Sequence, residues 1–199
     1  MTIAIALKDT HNKRIIVGTD TQATYGQLTY KTEDKIIELQ IQIVDGYDET
    51  ITTEVLHIAM AGNLYLSSFL KYGFQPPTMS EHKNFTEYLY QDFLPELKIL
   101  LHEDNLVVID NNVTDTESKF IFIFKDQIYS IQYNFGVNQL NNSFLVEGSG
   151  WQVATGSLYT NLNYHKNMDY EEMVKQAIEA CGNNTIYCNS TPNIKIIKY

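Results

Sequence analysis

Cysteine is scarce in this chain of 199 residues: only Cys181 and Cys188 occur. That excludes a disulfide scaffold, and a reducing compartment, the cytoplasm, is the expectation. Histidine is equally thin. His11, His57, His82, His102 and His165 are scattered with no His-x-x-His or Cys-x-x-Cys spacing, which excludes the usual zinc patterns. Cationic charge is short as well. Only 14 Lys and Arg face 24 Asp and Glu, for a formal net charge of −10. The longest basic run, Asn12-Lys13-Arg14, is too small to grip a phosphate backbone, so nucleic-acid binding is not expected. No stretch approaches the roughly 18 consecutive apolar residues of a membrane-spanning helix. No basic segment precedes an apolar run near Met1, so no secretory signal is expected. Glycines spaced for a phosphate loop are missing, and Gly148-Ser149-Gly150 lacks the spacing of a Gly-x-Ser-x-Gly nucleophile elbow.

What is present is a packable composition, with 14 Tyr and 9 Phe. The length suits one domain over residues 1–199, and no linker, repeat or low-complexity tract interrupts it. Met1 to Lys8 and Arg14 to Thr21 are short β-prone runs. Turn formers fill Asp9 to Lys13 between them, so a hairpin is predicted. A symmetric turn there sets Thr2 opposite Asp20. Ile36 to Val44 alternates and, after Asp45-Gly46-Tyr47-Asp48, pairs with Thr52 to Met60. Leu64 to Tyr72 reads as a helix capped by Asn63, and Gln75-Pro76-Pro77 stops it. Asn84 to His102 has the clearest helical spacing, with Pro95 inside it predicting a kink or a break. Phe120 to Phe124 and Gln127 to Tyr133 form a third hairpin, and Phe144 to Glu147 a short strand. Helices follow from Trp151 to Leu162 and from Asp169 to Cys181, where Glu172 can complete a capping box with Asp169. Thr185 to Cys188 and Ile194 to Lys198 close the chain as strands. Paired strands and paired helices predict an α+β fold, two sheets packed together with helices outside.

The amino terminus carries the most chemical interest. Thr2 follows Met1, and a small second residue normally lets an initiator Met be removed. Thr2 then bears a hydroxyl and a free α-amine, a minimal unit in which the amine takes the hydroxyl proton during attack on a carbonyl. An α-amine titrates at about 7.7–8.0, close to working pH. A neighbouring lysine ammonium lowers it further, and an aspartate can fix that lysine. Asp20 and Lys35 are available on the next two strands. The plainer reading of the same residues is a solvated Asp and Lys on strands and a chain that merely begins Met-Thr.

Four blocks then stand in one order. Met-Thr-Ile-Ala-Ile-Ala leads to Gly18-Thr19-Asp20-Thr21-Gln22-Ala23-Thr24-Tyr25-Gly26, with Lys31 and Lys35-Ile36 after it. Ala59-Met60-Ala61-Gly62, Gly148-Ser149-Gly150 and Gly182 with Ile186-Tyr187-Cys188-Asn189 follow. In that order the chain resembles a proteasome β-subunit, and still more the bacterial peptidase HslV. The resemblance implies a four-layer αββα sandwich of two antiparallel sheets flanked by helices, the proteasome-like N-terminal-nucleophile (Ntn) hydrolase fold. It implies a threonine endopeptidase in which Thr2 is the nucleophile, Asp20 and Lys35 tune its amine, and Ser149 holds a proton-transfer water. The Gly62 N–H would line an oxyanion hole, Thr24 and Gly62 would pair with an extended peptide, and Met60 would border a side-chain pocket. No cofactor is needed for the chemistry. Backbone carbonyls of Gly182, Thr185 and Cys188 would hold a structural Na or Mg cation. The implied partners are further copies in stacked hexameric or heptameric rings, an ATPase unfoldase, and an unfolded polypeptide as substrate. Three positions depart from the pattern. Aligned without gaps, Met1 takes the nucleophile register, because the family places the residue after the nucleophile opposite the aspartate. Asn183 stands for an Asp, and Asn63 for a small residue. A non-catalytic structural subunit of the same fold, or a hydrolase of small amides, therefore stays open beside the peptidase.

Overall fold

The computed structural model describes residues 2–25, 28–32, 35–47, 49–110, 113–186 and 188–199. β1 (Ile3–Asp9) and β2 (Arg14–Asp20) form the expected amino-terminal hairpin. Its register differs by one residue from the symmetric expectation. Pairs run from Asp9↔Arg14 to Ala4↔Thr19, and the Ile3 N–H donates to Asp20 Oδ1 at 3.1 Å. Asp20 therefore faces Ile3, not Thr2. The cause lies in the turn. The Asp9 carboxylate accepts from Asn12 N at 3.1 Å, from Asn12 Nδ2 at 2.8 Å and from Arg14 Nε at 2.8 Å. Asp9 thus stays in the strand, and residues 10–13 form the loop, with Lys13 at φ 49°. A one-residue slip would turn every side chain of β1 over. Ile3, Ile5 and Leu7 would enter the space that Ala4 and Ala6 fill between the sheets, and such overpacking is costly. Met1 itself lies outside the described residues.

The first sheet has the order β13-β1-β2-β14, with β13 (Phe144–Gly148) and β14 (Pro192–Lys198), all antiparallel. The strand expected over Thr185 to Cys188 is instead part of the turn before β14, where Thr185 caps the preceding helix by donating to the Cys181 carbonyl at 2.9 Å; Tyr187 lies outside the described residues. The second sheet comprises β5 (Ile36–Val44), β6 (Thr50–Ala61), β7 (Met79–Ser80), β10 (Lys119–Phe124), β11 (Gln127–Ile131) and β12 (Val137–Gln139). Its order is β12-β11-β10-β6-β5-β7. The expectation of purely antiparallel sheets fails at one edge, where β7 runs parallel to β5. α1 (Leu64–Tyr72) separates β6 from β7, and a crossover through a helix is what allows a parallel neighbour. Two short arms, β3 (Gln22–Tyr25) with β4 (Leu28–Lys31) and β8 (Val108–Asp110) with β9 (Val113–Asp115), stand apart from both sheets.

Asn63 caps α1 by accepting from Tyr65 N at 3.0 Å, as expected. The long helix predicted over Asn84 to His102 is three segments: α2 (Phe85–Tyr88), a π-helical turn over Leu89–Phe93, and α3 (Leu94–Glu103). Asn84 and Glu87 cap it reciprocally. Pro95 has no N–H to return one turn back, and the wider turn, with Leu94 N bonded to Leu89 O, accommodates it without a break. α4 (Trp151–Tyr164) and α5 (Tyr170–Asn184) run past their expected ends. Asp169 caps α5 through Glu171 N at 2.8 Å. Glu172 does not complete the box among the described residues; its carboxylate accepts from Gln176 at 3.3 Å instead.

Three apolar cores order these elements. One face of the first sheet, Ile3, Ile5, Leu7 and Ile16, packs on Leu158 of α4 and Val174 and Ile178 of α5. Its other face, Ala4, Ala6, Ile15 and Val17, meets Ala59, Ala61, Ile121 and Ile123 of the second sheet. The far side of that sheet, including Ile41, Leu56 and Phe122, packs on Leu70, Phe93 and Leu97. Each fully buried Ile, Leu or Phe contributes roughly 1.5–3 kcal/mol, so the hairpin carrying the amino terminus is anchored on both faces.

Candidate active site

Thr2 sits just ahead of β1 and is 4 % exposed. Its carbonyl accepts from the Ser149 N–H at 2.9 Å. Gly148, at φ +107°, makes that approach possible: a Cβ there would lie 2.1 Å from the Thr2 carbonyl oxygen. Lys35 stands immediately before β5, and its ammonium donates both to Thr2 Oγ1 and, at 2.8 Å, to Asp20 Oδ1. Asp20 is fully buried and Lys35 is 4 % exposed. Burial pushes the Lys35 pKa below the ordinary lysine range, with Asp20 pulling the other way. Asp20 makes further contacts. Oδ1 also accepts from Ile3 N, and Oδ2 accepts from Gln22 N at 3.1 Å and Asn189 N at 3.3 Å. The ends of β1 and β2 and the segment before β14 thus converge on one carboxylate.

Gly62 closes β6 with φ +152°, and a Cβ there would lie 2.3 Å from Ser118 Oγ. The same hydroxyl accepts from Asn63 N at 3.0 Å, so the turn into α1 is pinned against the start of β10. Two clefts meet at Thr2 and Gly62. One, of ≈ 520 Å³, runs past Gly148 and Ser149 to Asp115, Glu117, Tyr133 and Trp151. The other, of ≈ 630 Å³, runs past Lys35 to Gln22, Thr24, Tyr30, Met60 and Ser68.

The structure therefore brings Thr2, Asp20 and Lys35 into hydrogen-bond contact, and places Ser149, Gly62, Thr24 and Met60 along the clefts beside them. Ser149 is not the cap of α4; Gly150 holds that position. Met60 is also part of the core behind α1. Gly182 lies in the last turn of α5 and Thr185 directly follows it; Cys188, buried in the turn after them, lies near the Asp20–Lys35 pair, and burial raises its thiol pKa, with Asp20 adding to the rise and Lys35 opposing it. Among the described residues, no group of three or more His, Cys, Asp or Glu could hold a metal ion. Sequence reasoning missed Asn189, whose amide reaches Asp20 and whose side-chain oxygen accepts from Thr21 N at 3.2 Å. Its place directly after Cys188 was the available signal. Nothing in the sequence marked Ser118 or Glu117.

The architecture is the proteasome-like Ntn hydrolase fold. Solved structures share it along the whole chain. Thiobacillus denitrificans BPH in complex with epoxomicin is similar at a TM-score of 0.71 and 16% identity, over 100% of this chain and 98% of that one. Another structure of Thiobacillus denitrificans BPH is similar at 0.71 and 17% identity, with the same coverage. Eukaryotic HslV from Trypanosoma brucei is similar at 0.60 and 14% identity, over 99% of each chain. Identity this low speaks for the fold alone. No protein-family model and no curated protein matches the sequence. Among the described residues, no helix is long and apolar enough to cross a membrane.

Proposed function

We propose that this chain is a threonine-type peptidase subunit of a proteasome- or HslV-like ring complex, with Thr2 as the N-terminal nucleophile. The observation that carries the reading is the contact of the buried Lys35 ammonium, held by Asp20, with Thr2 Oγ1. The hairpin register supports it, because Ile3 and not Thr2 faces Asp20. That is the relation the resemblance expects when Thr2 occupies the nucleophile position.

With Met1 removed, the Thr2 amine takes the hydroxyl proton as Oγ1 attacks a peptide carbonyl. The proton passes to the leaving amine when the C–N bond breaks, and an ester remains on Thr2. A water that gives its proton to the same amine hydrolyses the ester, and Oγ1 regains its proton. The Lys35 ammonium disfavours protonation of the amine and stabilises negative charge on Oγ1. Ser149 positions the transferring water. The Gly62 N–H faces the developing oxyanion, where a fixed donor is worth about 3 kcal/mol. Thr24 and Gly62 pair with the extended peptide, and Met60 borders the pocket for the side chain before the scissile bond.

We read the three cores as the four-layer αββα sandwich. Exposed Tyr72 on α1 and Tyr159 on α4 favour self-association, here into stacked six- or seven-membered rings. An ATPase unfoldase would feed them unfolded polypeptide in the cytoplasm. The carbonyls of Gly182, Thr185 and Cys188 would hold a structural Na or Mg cation.

Intact-mass measurement and epoxomicin treatment test the reading. The expected chain begins at Thr2, gains the mass of one epoxomicin, and cleaves short fluorogenic peptides. Thr2→Ala should abolish both adduct and cleavage. A retained Met1 with no adduct would leave the Thr2 nitrogen an amide and favour the non-catalytic subunit.

A further inference from the structure

We propose that the cleft on the Ser149 side of Thr2 binds a cationic side chain, lysine or arginine, of the polypeptide substrate. The inference rests on the peptidase reading for one point only, that the bound residue follows the scissile bond. Asp115 and Glu117 both line this cleft. Glu117, at φ 52°, is held there by its own N–H, which donates to Asp115 Oδ1 at 2.6 Å. It borders the neighbouring cleft too, as Thr2 and Gly62 do. The cation lining the cleft, Lys119, is already engaged with Glu147 at 3.1 Å. Glu147 is in turn fixed by Ser130 at 2.7 Å and Gln132 at 2.9 Å. Among the described residues no cation pairs with Asp115 or Glu117, and both residues line the cleft.

Two aromatic rings complete the wall. Trp151 is 51 % and Tyr133 is 45 % exposed, and both line the same space. Carboxylates beside exposed aromatic faces attract ammonium and guanidinium groups through charge and ring quadrupole together. An acidic side chain meets repulsion from the same groups. A cleft of ≈ 520 Å³ has room for the long stem of either basic residue.

Trp151 is the chain's single tryptophan, so its fluorescence reports binding here without any need for turnover. The experiment titrates the full chain with blocked pentaalanine peptides whose central residue is Arg, Lys, Ala or Glu. The Arg and Lys peptides should perturb the emission at concentrations about tenfold lower than the Ala peptide, and added salt should narrow the gap. Glu117→Gln should reduce the preference about threefold, and Glu117→Lys should turn it toward the Glu peptide, a gain that misfolding cannot mimic. Equal titrations for Arg and Ala, or an unchanged preference in Glu117→Lys, would overturn the proposal. Aminocoumarin substrates carry no residue after the scissile bond and test catalysis separately. Cleavage without an Arg preference removes this inference alone, and an Arg preference without cleavage removes the peptidase alone.

Discussion

Replacing Asp20 by alanine is the perturbation with the clearest expected size. Its carboxylate is fully buried and accepts from Lys35 Nζ and from the amides of Ile3, Gln22 and Asn189. Alanine leaves an ammonium and three backbone donors without that acceptor. Removing one partner of a buried ion pair costs about 3–5 kcal/mol, and each orphaned buried donor adds up to about 1–3 kcal/mol where water does not enter. The terms overlap, so about 4–6 kcal/mol is expected from these two sources. At about 2–4 °C per kcal/mol for a chain of this length, the melting temperature should fall by about 8–24 °C. Asparagine is no neutral substitute. Its amide nitrogen would face either the lysine or the amides of Gln22 and Asn189, donor against donor. Urea unfolding followed by far-UV circular dichroism reads the loss. The double variant Asp20→Ala, Lys35→Met removes the stranded charge as well and should recover part of it. The reasoning is refuted if Asp20→Ala unfolds within about 1 kcal/mol of wild type, or if the double variant is as destabilised as the sum of the singles.

Three further outcomes follow from the geometry. Gly148→Ala places a Cβ 2.1 Å from the Thr2 carbonyl oxygen at φ +107°; a loss of about 2–4 kcal/mol in urea unfolding, with no epoxomicin adduct, is expected. Burial lowers the Lys35 pKa from 10.5, so between its folded value and 10.5 the unfolded chain binds more protons. The contribution of Lys35 to stability therefore rises with pH across that window, and the stability of wild type minus that of Lys35→Met should climb as the solution is made alkaline. Asn84→Ala removes a reciprocal cap and should cost about 1 kcal/mol, or about 2–4 °C in thermal melts.

The hairpins and helix starts were legible because local chemistry decides them. Asn63, Asn84 and Asp169 cap the helices that follow them, and their side chains need nothing from the rest of the fold to do so. The register of the first hairpin was not legible. Asp9 looks like a turn residue, yet its bonds to Asn12 and Arg14 hold it in the strand. The π-helical turn around Pro95 was expected only as a kink, because a sequence does not say how a helix will absorb a missing donor. Thr2, Asp20 and Lys35 were named from their order along the chain and do meet. Asn189 and Ser118 enter through contacts 169 and 55 residues away in sequence, which no local pattern encodes.

The turn of residues 10–13 also bears on how such a chain can change over time. It lies six ladder pairs from the end of the hairpin that holds Thr2, and the register it supports decides which residue meets Lys35. A change there that also slipped β1 by one residue would leave every residue of the site intact and present a different one to the lysine, against the cost of overpacking between the sheets. Were Thr2 the nucleophile proposed above, a lineage could cross from cutting subunit to inert building block, or back, by a change in hairpin register, with no substitution in the site to record it.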